Sequence, residues 1–127
     1  MVDIREQSPL SLAFVGDAVY SLAIREHFVK SKRFNINTLN KMTVKYVSAH
    51  GQFIALELIK DILTEEEMSF AKRGQNSSKA SVAKHASVAE YRASTGFECL
   101  LGYLKLTAQD ERIETLVSYI LENLKFE

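Results

Sequence analysis

The chain has 127 residues, 46% of them hydrophobic, and its 16 basic and 16 acidic side chains cancel. That size suits one domain able to bury roughly two-thirds of its unfolded surface. A lone cysteine, Cys99, excludes an intrachain disulfide and points to a reducing compartment, with the thiol serving as core packing. The sequence opens with no basic, apolar leader and contains no run of eighteen apolar residues, so a cytoplasmic protein without a membrane partner is expected.

The zero balance hides an asymmetry. Residues 28–50 carry Lys30, Lys32, Arg33, Lys41 and Lys45 with no acid, and residues 71–95 carry Lys72, Arg73, Lys79, Lys84 and Arg92 against Glu90 alone. If the two basic segments converge they form a face for a polyanion. If they do not, they are two solvated loops.

Ser8 before Pro9 predicts a helix start. From Leu10 to about Phe28, the residues Leu12, Phe14, Val15, Val19, Tyr20, Leu22, Ile24 and Phe28 cover nearly the whole circumference, the pattern of a central, buried helix. Lys30 to Asn35 is a basic connection. Asn37 or Thr38 then caps a second helix, which His50-Gly51 interrupts, and Gln52 to Leu63 resumes the periodicity. Thr64 with Glu67 forms a capping box, and Gly74 is placed to end that short acidic helix. Residues 74–81 are the most polar stretch and the best candidate for a mobile loop. Helix resumes by Val88 and runs to near Leu106. A last helix follows Thr107, with Ile113, Leu116, Val117, Ile120, Leu121 and Leu124 as its apolar stripe. The pattern predicts an all-α fold, one compact domain spanning residues 1–127, with about six or seven helices and no strand.

Two acids interrupt apolar helical faces. The neighbours of Asp17 three and four residues away are Ala13, Phe14, Tyr20 and Ser21; those of Glu98 are Ser94, Thr95, Leu101 and Gly102. None is basic. A carboxylate in such surroundings must be protonated, hydrogen-bonded, paired from elsewhere or bound to a cation. Gly16, Ala18, Gly96 and Gly102 remove bulk beside both acids, which suits a close helix contact or a ligand equally. Two hard oxygen donors without His or Cys suit Mg²⁺ or Mn²⁺; a tyrosine hydroxyl or backbone partner would satisfy them as well. His27, His50 and His85 are too scattered for a triad. His27 and His50 read as surface or helix-end residues, and His85 beside Lys84 as a weak phosphate contact.

The run Gly16-Asp17-Ala18-Val19-Tyr20, followed later by Thr95-Gly96-Phe97-Glu98-Cys99-Leu100-Leu101-Gly102-Tyr103, resembles the nuclease domain of the ribonuclease III family. The likeness extends through Tyr46-Val47-Ser48-Ala49, Thr64-Glu65-Glu66-Glu67, Lys72-Arg73-Gly74 with Asn76, and Tyr91-Arg92, and fits the short bacterial form that lacks an appended double-stranded-RNA-binding domain. At 127 residues, no such domain is expected. Ala13 and Thr95 stand where ordinary members carry further acids, as in the short form, which implies a thin metal shell. Gln75 replaces an expected Arg and Ala83 an expected Pro, which bears on loop affinity and rigidity.

The resemblance implies a metal-dependent endoribonuclease cutting double-stranded RNA, with Asp17 and Glu98 as catalytic and metal-holding pair. It also implies a homodimer that leaves a short 3′ overhang, and a 23S ribosomal RNA precursor as substrate. The apolar helices around Val15–Ile24 and Tyr91–Leu104 are expected to supply part of the dimer interface. Lys72, Arg73, Asn76, Lys79 and Lys84 are the expected phosphate and 2′-hydroxyl contacts, since A-form RNA is read by shape. A non-catalytic RNA-binding or interaction domain of the same fold is the alternative, and would have no reason to keep both acids.

Overall fold

Short polar side chains mark the helix starts in the computed structural model, which describes residues 1–78 and 87–126. Ser8 Oγ accepts from the Leu10 N–H (3.2 Å) and opens α1, Pro9–Ser31. Asn35, not Asn37 or Thr38, caps α2 (Ile36–Val47), its Oδ1 accepting from the Thr38 N–H at 2.8 Å. Ser48 ends α2 and also caps α3, Ala49–Ile59. His50-Gly51 therefore lies in the first turn of α3 and does not break it. A 3-10 turn at Lys60–Ile62 leads to the Thr64/Glu67 capping box and α4, Glu65–Ser77. A second capping box, Ser87 with Glu90, opens α5, Val88–Leu106, and α6 covers Asp110–Asn123. Six α-helices and no strand occur among the described residues, so the all-α expectation holds.

The central helix is α5, and this corrects the reading of α1. Every residue from Ala93 to Leu104 is buried except Glu98, with α1, α3 and α4 packed around them. On α1 only the stripe Leu12, Ala13, Gly16, Tyr20 and Ile24 is buried, whereas Phe14 is 83% and Leu22 60% exposed. The difference is geometric: a helix at the edge of a bundle is covered on one side only, whatever its sequence holds on the other. Of the stretch Tyr91–Leu104, expected to share in a dimer interface, only Tyr91, Arg92 and Glu98 reach the surface, because the rest is covered inside the chain.

Glycines set the spacing at both main crossings. A Cβ on Gly16 would lie 1.7 Å from the Glu98 carbonyl oxygen, and one on Gly102 would lie 1.8 Å from that of Leu12. The backbones of α1 and α5 are thus in direct contact. On the α4 side, a Cβ on Gly74 would lie 2.8 Å from Gly96 Cα. Gly74 is therefore a crossing residue within α4 and not its end; of the expected 74–81 loop, residues 74–77 are helical and residues 79–86 lie outside the described residues. The N-terminal end of α4 is tied down on the same buried face by Glu67, which accepts from Arg112 Nε (2.8 Å) and Nη2 (2.9 Å) on α6.

Candidate active site

Asp17 and Glu98 come together across the Gly16–Gly102 crossing. Asp17 follows the glycine that touches the Glu98 carbonyl, so the close backbone approach carries both carboxyl groups to one place. Tyr20, one turn along α1, is fully buried with its ring edge-on to Phe97, the residue before Glu98, at 4.7 Å between centroids. That aromatic pair locks the two helices beside the acids.

The environments of the two acids differ. Asp17 is exposed, contrary to the expectation of an enclosed acid, because it sits at the margin of the buried stripe of α1, beside the exposed Phe14. Glu98 is half-buried. Its carboxyl pKa is pushed up to about 8, first by burial and then by hydrogen-bonding and Coulombic contact with Asp17, against an opposing hydrogen bond from Gln52. Two carboxylates at one place cannot both hold their charge without a proton or a cation between them. Neither takes part in an ion pair among the described residues.

Gln52 was not singled out by sequence reasoning. Its Nε2 donates to Glu98 Oε2 at 3.3 Å and to the Val47 carbonyl at 3.0 Å. The available signal was a lone amide heading the apolar run Gln52-Phe53-Ile54-Ala55-Leu56. No group of three or more His, Cys, Asp or Glu side chains gathers among the described residues, so the acids are a pair and not a larger cluster. Ala13 and Thr95, at the positions where additional acids were considered, are buried in packing; Thr95 Oγ1 donates to the Tyr91 carbonyl at 3.1 Å.

Of the expected RNA contacts, Lys72, Arg73 and Asn76 line one groove of about 540 Å³ with Leu63, Thr64, Glu65, Met68 and Ser69. Arg73 lies over the Phe70 ring, 4.8 Å from its centroid. Lys79 and Lys84, with Ala83 and His85, lie outside the described residues. The groove does not contain the acids. The buried face of α4, Glu67, Phe70, Ala71 and Gly74, is turned to the core, so α4 itself stands between the groove and α5. His50 pairs with Glu90, joining the first turns of α3 and α5.

A family model described as Ribonuclease III domain matches residues 10–109. A Mini-ribonuclease 3 from Streptococcus pneumoniae is 43% identical over 127 residues, covering 98% of this chain and 99% of the relative. The chain belongs to the Mini-ribonuclease 3 branch of the ribonuclease III family. It is therefore an endoribonuclease. A Mini-ribonuclease 3 from a Thermoanaerobacter species is 47% identical over 110 residues, covering 87% of this chain and 78% of the relative. A crystal structure of a Fusobacterium nucleatum protein matches with a TM-score of 0.86 at 32% identity, covering 96% of this chain and 98% of that one. The similarity spans both α1 and α5, so the carboxylate pair lies within the matched region.

Proposed function

We propose that residues 1–127 form one nuclease domain that cleaves double-stranded RNA with a divalent cation, and that Asp17 and Glu98 are its catalytic and metal-holding pair. One observation carries the reading: two acids remote in sequence are brought into contact, with Glu98 held near a pKa of about 8 and no described basic side chain to relieve them. The donor set fits Mg²⁺, with Mn²⁺ as substitute, because both donors are hard carboxylate oxygens. A bound ion would supply an activated water, a polarised phosphoryl oxygen and charge relief at the leaving 3′-oxygen.

The chain's own residues do the rest. Exposed Asp17 offers its carboxylate to the incoming backbone, and half-buried Glu98 anchors the site to the rigid central helix. Lys72, Arg73 and Asn76 serve phosphates and 2′-hydroxyls along the duplex, with Lys79 and Lys84 assigned the same task.

A homodimer is part of the proposal. Leu10, Phe14 and Leu22 remain exposed along one stripe of α1 that runs past Asp17, and an apolar stripe of this kind favours burial against a second copy. Two such sites would face the two strands of one duplex and leave a short 3′ overhang. The proposed substrate is a 23S ribosomal RNA precursor in the cytoplasm; no described helix is long and apolar enough to cross a membrane.

The test is cleavage of duplex and single-stranded RNA with Mg²⁺ by the wild type, Asp17→Asn and Glu98→Gln. Duplex-selective cutting that disappears in both variants while duplex binding persists is the expected result. Cutting unaffected by either substitution would sink the site, and equal cutting of single strands would sink the duplex preference. Depleting the protein in cells should leave unprocessed 23S ends, and unchanged ends would remove the proposed substrate.

A further inference from the structure

We infer that Gln52 is a positioning residue of the active site, holding the Glu98 carboxylate in the orientation that accepts a cation; this rests on the reading of Asp17 and Glu98 as a cation site. The inference starts from the corner between α2 and α3. Ser48 closes one helix with its backbone N–H and opens the next with its hydroxyl, which accepts from the Gly51 N–H at 3.1 Å. Gly51 then sits against the last carbonyls of α2, where an added Cβ would lie 2.1 Å from the Lys45 oxygen and 2.6 Å from that of Tyr46. Only with a glycine there does the chain turn tightly enough for the next side chain to reach back to the Val47 carbonyl. That contact, at 3.0 Å, pins the Gln52 amide, and the same nitrogen donates to Glu98 Oε2 at 3.3 Å.

The direction of the amide follows from its partners. A carbonyl oxygen and a carboxylate oxygen both accept, so the NH₂ end must face them and the reversed amide would set oxygen against oxygen. The consequence is unfavourable for stability. Gln52 is 2% exposed, and its Oε1 is buried with no hydrogen-bond partner among the described residues. An orphaned buried acceptor is costly, and a side chain of similar shape without polar atoms avoids that cost. The amide at position 52 is therefore a poor choice for packing. Its favourable contribution is a fixed donor to one oxygen of Glu98, which leaves the other oxygen for a cation shared with Asp17. Partners of this kind, one step removed from the ion, typically set metal affinity within a factor of 10 to 100.

The variant is Gln52→Met, similar in length and unable to donate. Mn²⁺ binding is read from the electron paramagnetic resonance signal of the free ion, alongside thermal melting by circular dichroism. The inference expects the Mn²⁺ Kd to rise about tenfold and kcat to fall with little change in KM for duplex RNA, whatever Tm does once the donations to Val47 and Glu98 are lost. A purely structural Gln52 would leave the Mn²⁺ Kd in place while Tm falls, and an unchanged Kd overturns the inference. If Gln52→Met does not fold, the wild type decides. The side-chain amide resonances of Gln52 should move with the binding isotherm as Mg²⁺ is added, and resonances that stay fixed overturn the inference. Asp17→Asn separates the two layers of argument. Mn²⁺ bound by the wild type, lost in Asp17→Asn and unchanged in Gln52→Met removes Gln52 alone. A wild type that binds no Mn²⁺ overturns the cation site and the role of Gln52 with it.

Discussion

Gly16→Ala adds a single methyl group where α1 meets α5, and the structure leaves it no room. The new Cβ would stand 1.7 Å from the Glu98 carbonyl oxygen, 2.6 Å from its carbon and 2.9 Å from the Gly102 nitrogen, all of them backbone atoms that no rotamer change can move. Ordinary contact begins near 3.4 Å, so the helices must part locally by up to about 1.7 Å, a gap at which packed atoms lose half or more of their attraction. Alanine's helix propensity returns about 1 kcal/mol. Overpacking costs about 1–3 kcal/mol in less constrained sites, occasionally more, and this contact is backbone against backbone, so a net loss of about 3 kcal/mol is expected. For a chain of this size that lowers Tm by about 10 °C. Activity should fall further than folding does, because the same displacement separates Asp17 from Glu98, and about 1 Å of misplacement can cost on the order of 100-fold in rate. The assay pairs thermal melting at 222 nm with single-turnover cleavage well below the variant's Tm. Gly74→Ala is the control: its Cβ would meet Cys99 Cβ at 2.6 Å on the opposite side of α5, so it should destabilise while leaving Mn²⁺ binding intact. A Gly16→Ala protein that melts and cuts like the wild type would refute the argument that the glycine crossing builds the site.

The remaining predictions concern charge. Glu98 has a folded pKa of about 8, raised chiefly by burial, so its neutral form favours folding. The metal-free wild type should lose stability as pH rises from the unfolded carboxylate value, about 4.3, to about 8. Glu98→Gln should abolish that decline, and a metal-free melting profile identical in wild type and variant would contradict the burial argument. Glu67 has the opposite sign: burial raises its pKa, but hydrogen bonds from Arg112 and the Thr64 cap outweigh it and leave the carboxyl lowered. Its contribution is present above about pH 4.3 and disappears as pH falls through the folded value. Glu67→Gln should cost about 3 kcal/mol at neutral pH and flatten the acid limb of the stability curve; chemical denaturation at pH 7 and pH 3 checks both. Lys72→Gln should reduce the slope of log Kd against log salt for duplex RNA by about one, and an unchanged slope would remove Lys72 from the RNA contacts.

What the sequence determined by itself is local. Helix starts at Ser8, Thr64 and near Val88 follow from caps and periodicity, since each is decided within a few residues of backbone. The missed caps at Asn35 and Ser48 are equally local, and there a neighbouring polar residue offered an equally plausible start. Asp17 and Glu98 were legible as acids out of place because neither has a helical neighbour of opposite charge. Tertiary structure alone decided the rest. The exposure of Phe14 and Leu22 could not be read from α1, since an apolar residue does not record whether another helix covers it. Gly74 resembled a helix end until Gly96 was placed opposite. Gln52 gained a role only when a corner at Ser48 brought it to Glu98, a contact between residues that no local rule connects. The proposed active site arises where two helices distant in the chain touch through Gly16 and Gly102, and that contact depends on how the whole core packs.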